Sequence, residues 1–325
     1  MKDPFYYFYL LIVLCLSINC QEKSANRQET IEFDFSKVPK KTTLWLENFS
    51  LSKYNIRDIT ISPIEDQILF TIVSLKNTLS AIVEIKKNTT GWSSPKITSF
   101  SGQYSDLEPF FHPDGSRLFF ASNRPVDTPA VIKDFDIWVV EKTSSGWGTP
   151  ENLSDPINTE ANEFYPSVGA NSNLYFTANY NDGIGTEDIY LSRFEKGKYQ
   201  NPVLLDSTIN SRTYEFNAFI NPTEDLILFS SYGRPDDLGG GDLYFSRKNE
   251  AGMWPQAIHL DSTINSTALD YCPFVWADTI LFFTSDKTNI KKQYPAHLNL
   301  TTFLEYLENP MNGSGNIYWR HWDIP

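Results

Sequence analysis

Apolar runs of strand length alternate with turn-forming clusters along most of the chain, most legibly between residues 107 and 158. There, residues 109–111, 118–121, 137–140 and 151–153 are rich in aromatic and β-branched side chains, as half-buried strands require. Pro113-Asp114-Gly115 separates the first two runs. Proline presets φ, the aspartate can bond its own backbone, and glycine accepts φ > 0. Four strands within about fifty residues predict one antiparallel sheet.

The rest of the chain repeats this unit. Asp106 corresponds to Glu163, Glu215 and Asp270, and one unit earlier the position falls on Ile56, with Asp58 two residues on. The second strand recurs as Ile68-Leu69-Phe70, Leu118-Phe119-Phe120, Leu174-Tyr175-Phe176, Ile227-Leu228-Phe229 and Leu281-Phe282-Phe283. The third recurs as Asp136-Ile137-Trp138, Asp188-Ile189-Tyr190, Asp242-Leu243-Tyr244 and Asn316-Ile317-Tyr318, with Ala81-Ile82-Val83 a weaker first copy. An aromatic before a proline (Trp92, Trp147, Tyr199, Trp254) precedes the fourth, and L-D-S-T-I-N-S occurs twice verbatim. Such dense self-similarity with four strands per unit predicts propeller blades rather than a solenoid.

Five second strands predict five blades. The last unit ends at its third strand, and Leu44-Trp45-Leu46-Glu47-Asn48 lies where a fourth would be in register. The expectation is an all-β fold: a single β-propeller, five four-stranded blades, closed by an N-terminal strand, which removes the open edges. Six blades is the alternative. Between Asp286 and Ile317 the last blade carries an insertion; residues 298–307 show helical spacing at Leu300, Phe303, Leu304 and Leu307, and Asn309-Pro310 ends the pattern. A short amphipathic helix packed on the rim near 288–315 is expected, as a flap or as a docking element.

The first twenty residues read as a signal peptide. Residues 5–18 are mostly apolar but too short for a membrane span of about 20 residues. Cys20 then stands where a lipoprotein signal places its lipidated cysteine, although Ser17 and Asn19 depart from the usual pattern. This divides the chain into signal 1–20, tether 21–43 and propeller 44–325. Of the three cysteines, Cys15 would leave with the signal and Cys20 would carry lipid. Cys272 is then left alone in an apolar run, as a buried, inert thiol. Aromatic residues make up 15% of the chain, which suits stacked sheets needing bulky filler. The net charge of −13 argues against nucleic acid and anionic membrane surfaces as partners, so membrane association is expected through the lipid alone.

The run P-F-F-H-P-D-G-S-R-L-F-F-A-S-N-R followed by D-I-W-V resembles the WD40-like repeat of TolB-type propellers. The form E-F-Y-P-S-V, L-Y-F-T-A-N and E-D-I-Y-L-S resembles the version found in exported lipoproteins and peptidoglycan-associated outer-membrane proteins. The resemblance spans residues 44–325 and implies a monomeric propeller at the cell envelope, as an outer-membrane lipoprotein. TolB itself has six blades, so a count of five departs from it. Such propellers serve as scaffolds, receptors and accessory domains alike, so the fold does not fix the function.

Catalytic motifs are absent: no H-E-x-x-H, P-loop, C-x-x-C or G-x-S-x-G. The four histidines fall at scattered repeat positions, so no metal site and no cofactor are expected. His112 is read as a solvated turn residue, and Gly239-Gly240-Gly241 as a flexible loop, because it precedes a strand and not a helix N-terminus. The candidate site is Asp106, Glu163, Glu215 and Asp270, a carboxylate ring at the channel mouth. It could hold a ligand, or it could fix blade spacing by accepting backbone hydrogen bonds. The loops 124–134, 179–187 and 232–241 share one face and differ between blades, which marks them for specificity. Two function classes follow. The preferred one is a non-catalytic envelope propeller that binds a protein or glycan partner. The alternative is a glycan-active hydrolase, which needs two carboxylates about 5–5.5 Å or about 6.5–9.5 Å apart.

Overall fold

The second strand of every unit is apolar on both faces, because each sheet is sandwiched between two neighbours. In the computed structural model, which describes residues 31, 34–47, 49–89, 91–126 and 134–323, these strands are almost wholly buried. The predicted signal segment, Cys15 and Cys20 lie outside the described residues.

Five antiparallel sheets form a five-bladed β-propeller. The inner strands are Asn55–Ile61, Asp106–Phe111, Glu163–Val168, Tyr214–Ile220 and Asp270–Trp276, which open blades 1 to 5 in that order. The second strands are Gln67–Val73, Arg117–Ser122, Leu174–Ala178, Leu226–Tyr232 and Ile280–Ser285, and the third are Ser80–Asn88, Asp136–Thr143, Asp188–Ser192, Asp242–Arg247 and Asn316–His321. The fourth strands are only two residues long. The repeated I-N pair compensates for that brevity. Asn158, Asn210 and Asn265 each accept the N–H and donate to the C=O of one third-strand residue (Ile137, Ile189 and Leu243, 2.8–3.0 Å), as a further strand would.

The N-terminal strand closes blade 5, as expected. It is Thr43–Leu44, paired with Trp319 and Tyr318, one residue earlier and shorter than the predicted 44–48. Trp45 leaves the strand for a turn because its ring is drawn into the core, edge-on to Phe70 and Phe282 at 6.3 and 6.2 Å. Described residues of the expected tether 21–43 also touch the propeller: Ile31 bridges to Trp92, Phe35 meets Trp276, and Pro39 accepts the N–H of His321.

Three further expectations change. The helix forms as Leu300–Glu308, N-capped by Asn299, but none of its residues is buried. Leu300, Phe303, Leu304 and Leu307 face solvent, so the stripe is not packed on the rim. His112 is 3% exposed rather than solvated, its Nε2 3.0 Å from Ser172 Oγ of the next blade, and burial pulls its pKa down. The Gly239–Gly241 loop is a close approach rather than a flexible linker. A Cβ at Gly239 would collide with the carbonyl of Thr267, and one at Gly240 with Leu269 N, in the segment leading into blade 5.

Candidate functional site

The inner strands line the axis, and each carries a β-bulge two residues after the repeated carboxylate position. The bulged residues are Asp58, Glu108, Tyr165, Asn217 and Cys272, all at positive φ between 48° and 60°. None is glycine, so each holds a sparsely populated conformation, at a cost on the order of 1 kcal/mol. The bulge re-aims these five side chains toward the axis, where they make one cross-blade network.

Arg57 is its hub. Its Nε donates to Asp58 at 2.6 Å, and its Nη2 to Glu108 at 2.7 Å and toward the Cys272 sulfur at 3.2 Å. Asn217 of blade 4 donates to Glu108 Oε1 at 3.3 Å, and the Tyr165 hydroxyl crosses from blade 3 to the carbonyl of Pro273 in blade 5. The Tyr165 N–H donates to Glu108 Oε2 at 2.7 Å. Its equivalents, the N–H groups of Asp58, Glu108 and Asn217, donate to Thr284, Thr71 and Thr177 of the preceding blade. Blade 2 has Ala121 at that position, and the Glu108 carboxylate takes over the missing hydroxyl's role. Two carboxylates share one guanidinium here. Burial, working against the pull of Arg57, leaves the Glu108 carboxyl well above the usual glutamate range. Cys272 is fully buried and free, and burial pushes its thiol up, which disfavours the reactive thiolate.

Beneath this layer, Phe110, Phe219 and Phe274 from blades 2, 4 and 5 meet with ring centroids 5.5–6.3 Å apart and plug the channel. Above it lies a hollow of about 390 Å³, walled by Phe135, Phe164, Phe216 and Tyr271 and floored by Arg57, Glu108 and Asn217. Tyr271 stacks on Arg57 at 5.0 Å. Glu187 stands at its edge, at the end of the variable loop 179–187.

None of the four sequence-predicted carboxylates lines this hollow. Asp106, Glu163, Glu215 and Asp270 are fully buried within their own blades. Asp106 accepts from Ser101, Ser122 and Arg124 at 2.5–2.8 Å. Glu215 accepts from Ser211, Ser231 and Arg234, and Asp270 from Ser266, with Lys287 at 3.4 Å. In each of these blades the cation also stacks on third-strand aromatics: Arg124 on Trp138 at 5.3 Å, Arg234 on Tyr244 at 4.7 Å, Lys287 on Tyr318 at 5.0 Å. Carboxylate, cation and aromatic thus form one device that ties three strands of a blade together. Blade 1 has none of its parts, with Ile56 in place of the acid and Ile82-Val83 in place of the aromatic.

Blade 3 keeps the acid but replaces the cation with Tyr180, whose ring lies 4.8 Å from Tyr190. Glu163 accepts from Thr159 at 2.7 Å and has no cation, so burial pushes its pKa up to about 7. Its folded pKa lies above the unfolded value of about 4.3, so the folded chain binds the extra proton. That stabilisation is complete below about pH 4 and disappears as pH rises through about 7. Urea titrations of wild type and Glu163→Gln are expected to diverge across this window, on the order of 3 kcal/mol at full titration, with wild type losing stability as pH rises. Parallel curves would show that Glu163 is ionised in the folded chain.

Among the described residues no group of three His, Cys, Asp or Glu side chains is placed to hold a metal ion. The hollow's residues escaped the sequence reading because the repeat was aligned on its shared carboxylate. The available signal was the position two residues on, where Asp58, Glu108, Tyr165, Asn217 and Cys272 all differ.

Protein-family models give no match to this sequence, and no curated protein matches it. Among solved structures, the chain is similar to TolB from Acinetobacter baumannii at 11% identity and a TM-score of 0.43, covering 83% of this chain and 56% of that one. It is similar to the catalytic domain of a Coprinopsis cinerea GH62 α-L-arabinofuranosidase at 10% identity and 0.48, covering 90% and 93%. It is also similar to a Mycobacterium tuberculosis puromycin-hydrolyzing peptidase at 13% identity and 0.40, covering 81% of this chain and 41% of that one. The chain therefore spans about half or less of two of these proteins, and at such identities none of their activities passes to it.

Proposed function

We propose that this chain is a non-catalytic binding propeller of the exported lipoprotein kind, anchored at the envelope through Cys20, that holds a protein partner at the channel mouth. The observation that carries the reading is the commitment of Glu108. Its Oε1 accepts from Arg57 and Asn217 and its Oε2 from the Tyr165 N–H, so its carboxyl is tied into the blade-to-blade network. Glu187 is then the one uncommitted carboxylate lining the mouth among the described residues, and glycoside hydrolysis needs two. A plugged channel beneath an aromatic hollow suits capture rather than turnover.

The test is a pull-down from detergent-solubilised envelopes with the lipidated chain and with Cys20→Ala, beside hydrolysis assays on aryl glycosides. The expected result is a stoichiometric envelope protein, retained by Cys20→Ala and lost with Phe216→Ala, and no hydrolysis. Turnover of a glycoside that disappears in Glu187→Gln would overturn the reading, as would a monomer that captures nothing.

A further inference from the structure

Glu187 is unlike the paired acids of this face. Asp106, Glu215 and Asp270 each have a basic partner within their blade, and Asp58 and Glu108 share Arg57. Glu187 is half-buried and lines the hollow, and burial is the one influence on its carboxyl among the described residues, with no hydrogen bond or ion pair to it. Its backbone is fixed: the carbonyl accepts the Glu215 N–H at 3.0 Å, and the residue bridges to Tyr214. The residue is therefore anchored by its backbone beside a cavity it lines, with a carboxylate that has no counter-charge of its own. Desolvation raises its pKa, as an unpartnered acid requires.

The walls beside it are aromatic. Phe135 and Phe164 lie 5.1 Å apart between centroids and tilt by 41°, and Phe216 joins them around the opening. Aromatic faces carry negative potential and attract cations, by about 0.5–2 kcal/mol each. The floor does not oppose this, because the Arg57 charge is neutralised by the Asp58 carboxylate at 2.6 Å and its guanidinium is stacked on Tyr271. An anion would meet Glu187 without compensation, and a neutral sugar would leave it unpaired.

Resting on the binding reading above, we propose that the channel mouth is a cation pocket that takes the ammonium or guanidinium end of a basic side chain presented by the partner protein. Glu187 supplies the counter-charge, and Phe135, Phe164 and Phe216 supply the cage. A volume of about 390 Å³ accommodates one long side chain and excludes a folded domain, so the partner offers a protruding lysine or arginine.

Ligand-observed NMR and calorimetry with the folded chain test this directly. The probes are Nα-acetyl-lysine methylamide, Nα-acetyl-arginine methylamide, the neutral Nα-acetyl-norleucine methylamide, and arabinose and N-acetylglucosamine. Saturable binding of a cationic probe is expected, weakened roughly tenfold by Glu187→Gln and by added salt, and weakened less by Phe164→Leu, which keeps volume but removes the ring. Glu187→Gln retains the backbone contact to Glu215, so its thermal midpoint serves as the folding control. Equal binding of lysine and norleucine probes, binding of sugars instead, or indifference to Glu187→Gln would overturn the cation pocket. The two readings separate in the pull-down. A partner lost with Phe216→Ala but untouched by Glu187→Gln keeps the binding propeller and removes the cation assignment, whereas no partner at all removes both.

Discussion

Replacing Arg57 by methionine is expected to destabilise the propeller by about 3–5 kcal/mol, because it leaves Asp58 buried at 1% exposure with no counter-charge. The loss is electrostatic rather than steric, since methionine fills much of the same length. It is therefore recoverable. Arg57→Met with Asp58→Asn removes the closest ion pair, keeps an amide that tolerates the positive φ of 57°, and should regain part of the stability, with Glu108 still short of its guanidinium. The sign with pH is also fixed. In the single variant the carboxyls must take up protons on folding, so the folded chain binds more protons than the unfolded chain. Its deficit should shrink as pH falls from neutrality toward about 4, below which the carboxyls are protonated in both states, and widen again toward neutrality. Urea midpoints at three pH values would measure it. A loss under about 1 kcal/mol, or one that asparagine at position 58 does not restore, would show that Arg57 is not the electrostatic hub of the axis.

Trp45→Ala should cost a similar 3–5 kcal/mol, although Trp45 lies at the opposite end of the chain from the blade it closes. The indole is 4% exposed and packs edge-on to Phe70 of blade 1 and Phe282 of blade 5, while its N–H on the backbone donates to Ile317 at 2.9 Å. It therefore joins the first and last blades. Equilibrium unfolding checks the magnitude. Light scattering checks the mechanism: a chain starting after residue 50 leaves the strand Asn316–His321 as an open edge and should associate. If that chain stays monomeric and as stable as wild type, the N-terminal strand is an ornament rather than the closure.

Much of this was legible in the chain because repetition multiplies weak signals. A single D-I-W or L-F-F run is ambiguous, but four or five in register identify blade, strand order and count together. The closing strand was legible for the same reason, as a missing element at one end and a spare one at the other. The bulge positions were not, because periodicity averages over the very residues that differ. Glu108 and Asp58 read as strand or turn residues until the backbone twists them toward the axis. His112 looked solvated because its turn motif is ordinarily exposed, and only the neighbouring hairpin bearing Ser172 covers it. Helical spacing in Leu300–Glu308 correctly gave the helix, but spacing reports which residues share a face, not whether anything packs there.

The sequence by itself determined an all-β chain of five repeated four-stranded units and an acidic surface. Each of these follows from local alternation, turn chemistry and counting, which need no knowledge of distant contacts. The tertiary structure decided where charge is committed and where it is left over. Closing the ring brought Arg57, Glu108, Asn217 and Cys272, from four different blades, onto one axis. The same closure turned the shared carboxylates inward to tie their own blades and left Glu187 alone at the mouth. Which acid meets a cation depends on through-space distances of a few ångströms, and no pattern along the chain carries that information.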